Sequence, residues 1–383
     1  MNAKPKVLLF VDWFWPGFRA GGPIQSCINL IRALKDYVDF SVITNDRDLG
    51  MDEPYPNVLI NKWQLTPEGT RVFYASPKIT YLELKTIVKS ESFAIMSLNS
   101  MYSRKFTQWP LSIALGDKKK NYEIVLSPRG MLATGALSLK PLKKKIYLNA
   151  FRLLGIHRKL IWHATSTHEK LDIHTEFGKA VQVRVVPNLP VLVSNPRLTQ
   201  NKKKGEANFI SVARISPEKN TLFVIRAFMN AKGKVRLTFL GPVEDSPYFQ
   251  NCKIECEKLP QNVKVEWLQE RVPEKVEEEL SLNHFFISAT LGENFGHAIF
   301  EAVSSGKPVI ISDRTQWRGL SLENVGFDLP LENPDEWEVT VQACIDMDNQ
   351  TYAEASHAAE KYAGLFRNNE ELLKKNLNLF GAI

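Results

Sequence analysis

The sequence has few cysteines and no long uninterrupted apolar run. The four cysteines, Cys27, Cys252, Cys256 and Cys344, are too few and too scattered for a disulfide scaffold. None forms a C-x-x-C pair, which argues against a zinc ribbon. No segment approaches the roughly 18 uncharged apolar residues of a membrane-spanning helix, so we do not expect an integral membrane protein. The first apolar run, Val7–Val11, is shorter than the roughly 7–15 residues of a signal-peptide core, so we interpret it as a buried strand. The few, scattered cysteines lead us to expect a cytoplasmic protein.

The sequence also lacks the G-x-G-x-x-G fingerprint of dinucleotide-binding domains, which argues against a dinucleotide oxidoreductase. Apolar residues make up 44% and charged residues 24% of its 383 residues, as in ordinary globular proteins. This length favours two domains over one. Short apolar segments alternate with amphipathic segments of helical length, a pattern typical of α/β proteins with parallel sheets.

The pattern predicts two α/β series separated by a proline-rich, polar linker at residues 187–207. We expect an N-terminal Rossmann-like domain at 1–190, a C-terminal one at 191–365, and a final helix at 366–383 that packs back on the first domain. Predicted helices include Ile24–Lys35, one after a capping box at Ser166–Glu169, 141–156 and Tyr352–Leu379. The predicted strands are Lys6–Val11, Phe40–Thr44, Val58–Asn61, Phe93–Leu98, Glu123–Leu126, Leu160–Ala164, Val183–Val186, Phe209–Ala213, Val235–Leu240, Val263–Trp267, Phe285–Ser288 and Pro308–Ser312.

Two glycines, Gly21 and Gly22, lie between the first predicted strand and the helix that follows it. Ligands of open parallel sheets bind at the carboxyl ends of the strands. Paired glycines let a backbone approach a ligand, and a helix N-terminus favours an anion. A plain loop is the alternative interpretation, and the pattern leaves both open.

Two cations, Arg214 and Lys219, follow the first strand of the second domain, with Pro217 between them. Arginine offers a planar two-pronged donor and lysine a compact charge, so the pair suits a diphosphate. A solvated loop with two cations is the alternative.

The segment from Gly292 to Glu301 follows a strand and opens a helix predicted to run through Ser304. Backbone N–H groups at the helix start would form an anion site, with Glu293 just outside the helix and Glu301 about one turn inside it. Because carboxylates repel phosphate, we expect both to bind hydroxyl groups, a combination that suits a nucleotide sugar. Complementation of the helix dipole would explain Glu293 but not Glu301.

These residues resemble retaining glycosyltransferases of family 4, whose E-x7-E spacing Glu293 and Glu301 reproduce. The segments that look like that family, or like its bacterial subgroup making surface polysaccharides, are Ala20–Pro23, Ser127–Met131, His163–Ser166, Val186–Asn188, Val212–Asn220, Glu293–Gly296, Glu301–Ala302 and Gly306–Ile310. The resemblance implies a GT-B fold, in which two Rossmann-like domains face each other across a cleft, with C-terminal helices.

The resemblance also implies an activity and a set of site residues. A sugar would pass from a nucleotide-diphosphate sugar to a saccharide or lipid-linked saccharide with retention of the anomeric configuration, without a metal or cofactor. Arg214 and Lys219 would hold the diphosphate, and Glu293 the donor sugar. The implied substrate-binding residues are Gly21, Gly22, Arg129, Asn294, Phe295, Gly296, His297 and Glu301, of which Glu301 would bind the ribose.

Three features depart from the family pattern or fall outside it. Many members have a histidine at the end of a first-domain strand; here Ser127-Pro-Arg129 follows one such strand, and His163 is expected to be a core residue. Two D-x-D strings, Asp46–Asp48 and Asp346–Asp348, resemble the metal-binding pair of another glycosyltransferase fold. We expect both to be solvated surface.

A stretch from Ile124 to His168 contains no Asp or Glu. Its eight cations are Arg129, Lys140, Lys143, Lys144, Lys145, Arg152, Arg158 and Lys159. A basic amphipathic helix can lie on an anionic membrane surface, so residues 140–159 are a candidate peripheral membrane contact. A solvated face over a buried stripe, or a site for acceptor phosphates, stays open, whereas no nucleic-acid motif is present.

A retaining sugar transferase is the leading hypothesis. Among enzymes, the alternative is a nucleotide-sugar epimerase or an inverting transferase with the same fold. Among proteins that are not enzymes, the alternative is a non-catalytic protein that binds nucleotides or sugars.

Overall fold

The computed structural model describes residues 3–118, 121–138, 141–190 and 200–383. It divides into two compact units. The first contains the described residues up to Leu189 together with Asn369–Ile383, and the second contains Pro190–Asn368. Each unit is a Rossmann-like α/β layer structure built on a largely parallel sheet, so the predicted fold class is confirmed.

The first unit is built on an eight-stranded sheet in the order β3-β4-β2-β1-β5-β6-β7-β8. All neighbouring strands are parallel except β3, which is antiparallel to β4. The strands are β1 (Lys6–Val11), β2 (Asp39–Asn45), β3 (Trp63–Leu65), β4 (Arg71–Ala75), β5 (Ile95–Asn99), β6 (Glu123–Ser127), β7 (Ile161–Ala164) and β8 (Val183–Val185). Helices α1 (Gly22–Leu34), α2 (Tyr81–Ser90), α3 (Trp109–Leu115), α4 (Thr134–Ser138), α5 (Pro141–Leu153) and α6 (Thr167–Phe177) connect them.

The second unit is built on a parallel six-stranded sheet in the order β11-β10-β9-β12-β13-β14. Its strands are β9 (Glu206–Val212), β10 (Lys234–Leu240), β11 (Val263–Leu268), β12 (Phe285–Ser288), β13 (Val309–Ser312) and β14 (Gly326–Leu329). Its helices are α7 (Thr221–Arg226), α8 (Ser246–Cys256), α9 (Pro273–Ser281), α10 (His297–Ser304), α11 (Pro334–Asp346) and α12 (Asn349–Arg367). One more helix, α13 (Glu370–Leu379), belongs to the first unit.

Both sheets are covered by apolar layers on their two faces. Along β1, Leu8 and Phe10 pack into one buried cluster, whereas Val7, Leu9 and Val11 pack into the other. This alternation follows from the period of two in a strand, and continuous burial is typical of parallel sheets covered by helices. The second unit has two corresponding clusters of its own.

Two predictions about element boundaries are wrong. The segment Val58–Asn61 forms only an isolated bridge between Ile60 and Tyr74, and the strands of that region are β3 and β4. The predicted tail helix, Tyr352–Leu379, is divided into α12 and α13, since Asn369 leaves the helix and its side chain caps α13 through the N–H of Leu372. The final helix therefore spans 370–379 rather than 366–383.

The capping box predicted at Ser166 is only half formed. The Ser166 hydroxyl accepts a hydrogen bond from the N–H of Glu169, as expected. The Glu169 carboxylate does not return to Ser166; it accepts from Thr165 and from the N–H of Gly130 at 2.7 Å. Glu169 thereby joins the loop after β6 to the start of α6.

The interpretation of Asp46 and Asp48 as solvated surface is wrong, because both are buried. Asp46 forms an ion pair with Arg47 at 2.8 Å. Asp48 accepts hydrogen bonds from the N–H groups of Phe18 and Arg19, so it fixes the loop that precedes α1. Asp346 and Asp348 are exposed, as expected.

Two parts of the predictions lie outside the described residues. These are Lys140, in the basic stretch, and residues 191–199 of the predicted linker. The linker prediction also extends too far, since β9 begins at Glu206.

Candidate functional site

The loops after β9 and β12 lie side by side in the second unit. The two strands are parallel neighbours, with Phe285 opposite Phe209 and Phe286 opposite Ile210, so their carboxyl ends meet at one edge of the sheet. Two hydrogen bonds join the loops directly: the N–H of Leu291 and the hydroxyl of Thr290 both donate to the carbonyl of Glu218, at 2.9 and 3.4 Å. The sequence-predicted residues of both loops are therefore brought together.

An ion pair between Lys219 and Glu293 spans these two loops. The Lys219 Nζ lies 2.7 Å from Glu293 Oε2, and the two side chains are 14% and 30% exposed. Lys219 ends a 3-10 turn, Pro217–Lys219, and Asn220 at a φ of 55° then starts α7. The N–H of Glu293 donates to the carbonyl of Arg314 at 3.2 Å, which ties its loop to the end of β13.

Arg214 lies in the same loop as Lys219 but has different partners. Its guanidinium donates to the Glu244 carboxylate and lies 3.9 Å from that of Glu218. The side chain is 39% exposed, so it is accessible to solvent. Among the described residues, Arg214 and Lys219 are thus each paired with a carboxylate rather than left as isolated cations.

The helix α10 begins at His297, shortly after Glu293 in the chain. Gly296 caps the helix with a φ of 76°, a left-handed conformation that favours glycine. A Cβ at this position would also lie 2.9 Å from Ile299 Cδ1 and 3.2 Å from Trp317 Nε1. Within the described residues, the N–H groups of Phe295 and Gly296 have no protein acceptor, as expected where a helix begins.

Contacts with Trp317 fix the backbone that precedes α10. Phe295 is buried, and its carbonyl accepts a hydrogen bond from the Trp317 indole N–H at 2.6 Å. The Phe295 ring also packs edge-on against Trp317, with the ring centroids 5.5 Å apart. Asn294 precedes this anchored residue in the chain, and His297 begins α10 after the N-cap residue Gly296.

Glu301 projects from the second turn of α10 and is half-buried. Its poorly solvated surroundings, with a smaller contribution from Glu277 of α9, raise the pKa of its carboxyl to about 7. No ion pair or hydrogen bond to the Glu301 side chain is found in the described part of the chain. The carboxylate is therefore available to accept hydrogen bonds from hydroxyl groups.

The first-unit glycines lie where a helix begins, as predicted. Gly21 has a φ of 63° and precedes α1, which starts at Gly22 with Pro23 in its first turn. No side chain caps this helix end. A Cβ added at Gly21 would meet no atom within 4 Å, so the close approach argued for this loop is not made by the protein itself.

Arg129 is held in the first unit by two asparagine side chains. Its Nε and Nη2 donate to Asn99 Oδ1 at 3.1 and 2.7 Å, and Nη1 donates to Asn188 Oδ1 at 2.5 Å. Because Asn99 ends β5, this guanidinium lies at the carboxyl edge of the first sheet. The described residues place no carboxylate in an ion pair with it.

His163 is a core residue, as expected. Its Nδ1 lies 2.8 Å from the Ser127 hydroxyl and its Nε2 lies 2.8 Å from the Val186 carbonyl. Burial, and to a lesser extent the nearby charge of Arg129, lowers the pKa of His163 to about 3. The imidazole is therefore neutral, donating to Val186 and accepting from Ser127.

Sequence reasoning missed two carboxylates that border the candidate residues. Glu244 follows β10, the strand next to β9, so a search of every loop after a strand could have found it. Glu277 lies in a run of glutamates on α9, where the sequence gives no signal that distinguishes it from its neighbours.

Comparison with known proteins identifies relatives of both the sequence and the fold. Residues 196–362 match the family model described as glycosyl transferases group 1, so this part of the chain is homologous to glycosyltransferases. The chain is also 29% identical, over 154 residues, to the alpha-monoglucosyldiacylglycerol synthase of Streptococcus pneumoniae. That match covers 36% of this chain and only 34% of the relative.

Solved structures resemble the chain over nearly its whole length. A sucrose-phosphate synthase from Thermosynechococcus elongatus superimposes with a TM-score of 0.71 at 14% identity, covering 99% of this chain and 98% of that one. Anabaena HepE, solved with UDP and glucose, gives a TM-score of 0.68 at 16% identity, covering 99% and 100%. At these identities the likeness establishes a shared fold, that of the GT-B glycosyltransferases. In the described residues, no helix has the length and apolarity to cross a membrane.

Proposed function

We propose that this chain is a glycosyltransferase that moves a sugar from a nucleotide-diphosphate sugar to a saccharide or lipid-linked saccharide with retention of configuration. The observation that carries the proposal is that the loops after β9 and β12 meet at one edge of the sheet of the second unit. There, Lys219 and Glu293 lie 2.7 Å apart beside the start of α10, where Gly296 is the N-cap residue and offers no side-chain hydrogen bond. The match of residues 196–362 to a glycosyltransferase family supports it.

In this proposal, the diphosphate binds between the two cations and the leading amides of α10. The Lys219 ammonium and the N–H groups of Phe295, Gly296 and His297 neutralise negative charge on the leaving diphosphate, which is the term expected to contribute most to the rate. Arg214 joins them by exchanging Glu244 for phosphate oxygens. Such exchange is feasible because a solvated ion pair of this kind is weak.

The two carboxylates take the hydroxyl-bearing ends of the donor. Glu301, half-buried and without a protein partner in the described residues, accepts hydrogen bonds from the ribose. Glu293 turns to the donor sugar once the diphosphate competes for Lys219. In the first unit, Gly21, Gly22 and Arg129 are the proposed substrate-binding residues.

The proposal extends to the mechanism and the biological setting. Two fixed cations and helix amides supply the neutralising charge, so the reaction needs no metal. The name of the Streptococcus pneumoniae relative denotes a glucosylated diacylglycerol, which supports sugar transfer to an acceptor that carries a lipid. We place the enzyme in surface polysaccharide biosynthesis, at the cytoplasmic face of the membrane.

A ligand panel followed by product analysis tests this function. Thermal-shift measurements with uridine, guanosine and adenosine diphosphates and their sugars should give stabilisation by one base series, with UDP-glucose as the first candidate because HepE was solved with UDP and glucose. The preferred donor is then incubated with saccharide and lipid-linked acceptors, and the anomer of the product is read by nuclear magnetic resonance.

The outcomes separate the competing functions. A product with the donor's anomeric configuration supports retention, and the opposite anomer identifies an inverting transferase. An altered free nucleotide sugar identifies an epimerase. Donor binding without any reaction over the acceptor panel identifies a binding protein, and no stabilisation by any nucleotide contradicts the proposal as a whole.

A further inference from the structure

Among the described residues, the contacts that anchor helix α5 to the first unit lie on one of its faces. Leu148 and Phe151 are buried, with the Phe151 ring 6.1 Å from Trp162 and 5.7 Å from Phe177. The Tyr147 hydroxyl donates to the Met101 carbonyl at 3.1 Å. These contacts fix which face of the helix points inward and therefore which face points to solvent.

The outward face of α5 carries an apolar stripe. Leu142, Ile146 and Leu153 are 71%, 61% and 88% exposed. Ile146 and Leu153 follow Leu142 by four and eleven residues, which places the three side chains within about 40° of one another around a helix with 3.6 residues per turn. An amphipathic surface helix normally turns such a stripe toward the core, and contiguous exposed apolar groups indicate an interaction surface.

Cations border this stripe, and no carboxylate lies among them. Lys143 and Lys145 project on either side of the stripe and are exposed, as are Arg158 and Lys159 just beyond the helix. Within the described residues, none of the four forms an ion pair. Within the described part of this helix, two further cations have partners: Lys144 donates to the Ala136 carbonyl at 2.5 Å, and Arg152 pairs with Glu176 at 2.6 Å.

We propose that the outward face of α5 docks on the surface of a bilayer that contains anionic lipids. Leu142, Ile146 and Leu153 enter the boundary between headgroups and acyl chains, and Lys143, Lys145, Arg158 and Lys159 contact lipid phosphates. The inference deepens the proposed function, on which it rests for its biological meaning, since it identifies the surface that brings the enzyme to a lipid-linked acceptor.

Charge complementarity selects a membrane over a second copy of the chain. In a two-fold dimer the same patch meets itself, so the four cations would face four cations with no carboxylate to offset them. An anionic bilayer instead offers phosphates to the lysines and an apolar layer to the stripe. A nucleic acid would match the cations but would leave the three aliphatic side chains against a polar backbone.

Vesicle sedimentation of the whole protein tests the docking surface. Vesicles of phosphatidylcholine containing phosphatidylglycerol should bind the wild-type chain much more strongly than phosphatidylcholine alone, and added salt should weaken the binding. Lys143→Gln with Lys145→Gln should lower the partition coefficient about twenty-five-fold, since each cation contributes about a fivefold effect. Leu142→Gln, Ile146→Gln and Leu153→Gln together should lower it at least about tenfold.

A matched control uses α2, which exposes similar side chains elsewhere in the same unit. Leu82 is 70% exposed and Lys89 is also exposed, so Leu82→Gln with Lys89→Gln removes comparable groups away from α5. This variant should bind vesicles as the wild type does. Circular dichroism of every variant verifies that the substituted surface has not changed the fold.

Three results would overturn the proposal. The first is that the wild-type chain does not sediment with anionic vesicles at low salt. The second is that the α5 variants sediment as well as the wild type. The third is that the protein forms a dimer which the α5 substitutions dissociate, without any vesicle binding. Donor binding measured without vesicles tests the proposed function independently of the docking surface. If the α5 predictions fail while the donor still binds, only the membrane-docking proposal is contradicted. If the protein binds vesicles but has no affinity for any nucleotide, only the proposed catalytic function is contradicted.

Discussion

Lys219 is the residue whose surroundings constrain the proposed chemistry most. Its ammonium is largely buried, lies 2.7 Å from Glu293, and sits on a turn hydrogen-bonded to the neighbouring loop. A cation fixed in this way can keep its position when a diphosphate replaces Glu293 as its partner, and a prepositioned charge is the condition for strong electrostatic catalysis.

We therefore expect Lys219→Ala to lower turnover by about a hundredfold or more, the scale of a lost charge-stabilising contact. Arg214→Ala should do the same. Steady-state rates with the preferred donor measure both effects. Lys232→Ala serves as the control, since Lys232 is an exposed lysine of the same unit; wild-type rates in the Lys219 and Arg214 variants would contradict their assignment to the diphosphate.

Glu301 makes stability and nucleotide affinity depend on pH. Its pKa of about 7 in the folded protein lies above the ordinary value of 4.5. Between those two values the folded protein holds a proton that the unfolded chain has lost, so the free energy of unfolding falls as pH rises through this window. Glu301→Gln stays neutral and should therefore be more stable than wild type at pH 8, by about 1–2 kcal/mol for a partly solvated group.

Denaturant titrations at pH 4 and pH 8 measure this difference, which should vanish at pH 4, where both side chains are neutral. Calorimetry measures the second effect: nucleotide affinity of the wild type should rise from pH 6 to pH 8, because the ionised carboxylate is the better acceptor for ribose hydroxyls. An affinity that is unchanged in Glu301→Gln at pH 8 would remove the ribose assignment.

At the level of elements, the start of α10 depends on the backbone of Gly296. Gly296→Ala would place a Cβ in a left-handed conformation and 2.9 Å from Ile299. We expect a loss of at least about 1 kcal/mol in the free energy of unfolding and weaker donor binding, both measurable by denaturation and calorimetry. Gly292→Ala is the matched control for stability, because its Cβ meets no atom within 4 Å; equal stability of the two variants would refute the argument.

Most strands, including the edge strands β8 and β11, could be predicted from the sequence, whereas β3, β4 and β14 could not. Residues of β1 and β12 form uninterrupted apolar runs because helices cover both faces, and their predicted bounds, Lys6–Val11 and Phe285–Ser288, match. The edge strands β3 and β14 have three and four residues, and β14 begins with glycine and includes Asp328. Such segments carry too little apolar pattern to be distinguished from loops.

The candidate site divides in a similar way between local and long-range information. The start of α10 was visible because glycines, a strand and a helix pattern follow one another in the chain. The partners of the charged residues were not, since Lys219 and Glu293 are 74 residues apart and meet only through the pairing of β9 with β12. Asp48 was misread for the same reason: its partners, the N–H groups of Phe18 and Arg19, come from a distant loop.

At the scale of the whole molecule, each unit has its own buried clusters. We expect calorimetric unfolding to depart from a single two-state transition. The preferred nucleotide should raise the transition of the unit formed by 190–368, as mass action requires of a ligand that binds the native state. Phe380→Ala should lower the other one, because Phe380 is 1% exposed and packs edge-on against Phe40 at 5.4 Å.

The size of the Phe380 effect should be about 3 kcal/mol, the usual cost of removing a buried phenylalanine ring. Leu365→Ala is the control, since Leu365 is largely exposed. A nucleotide that raises both transitions equally, or a Phe380 variant that lowers both equally, would contradict the independent behaviour of the two cores.

The return of α13 to the first unit has a consequence for biosynthesis. The ribosome makes the eight strands of that unit first, yet Leu377, Leu379 and Phe380, which complete one of its buried clusters, emerge only after all of residues 190–368. The half that is translated second can therefore reach its native state before the half that is translated first. Until then, the nascent protein leaves an apolar surface around Phe40 uncovered, and molecular chaperones would have the longest time to act there.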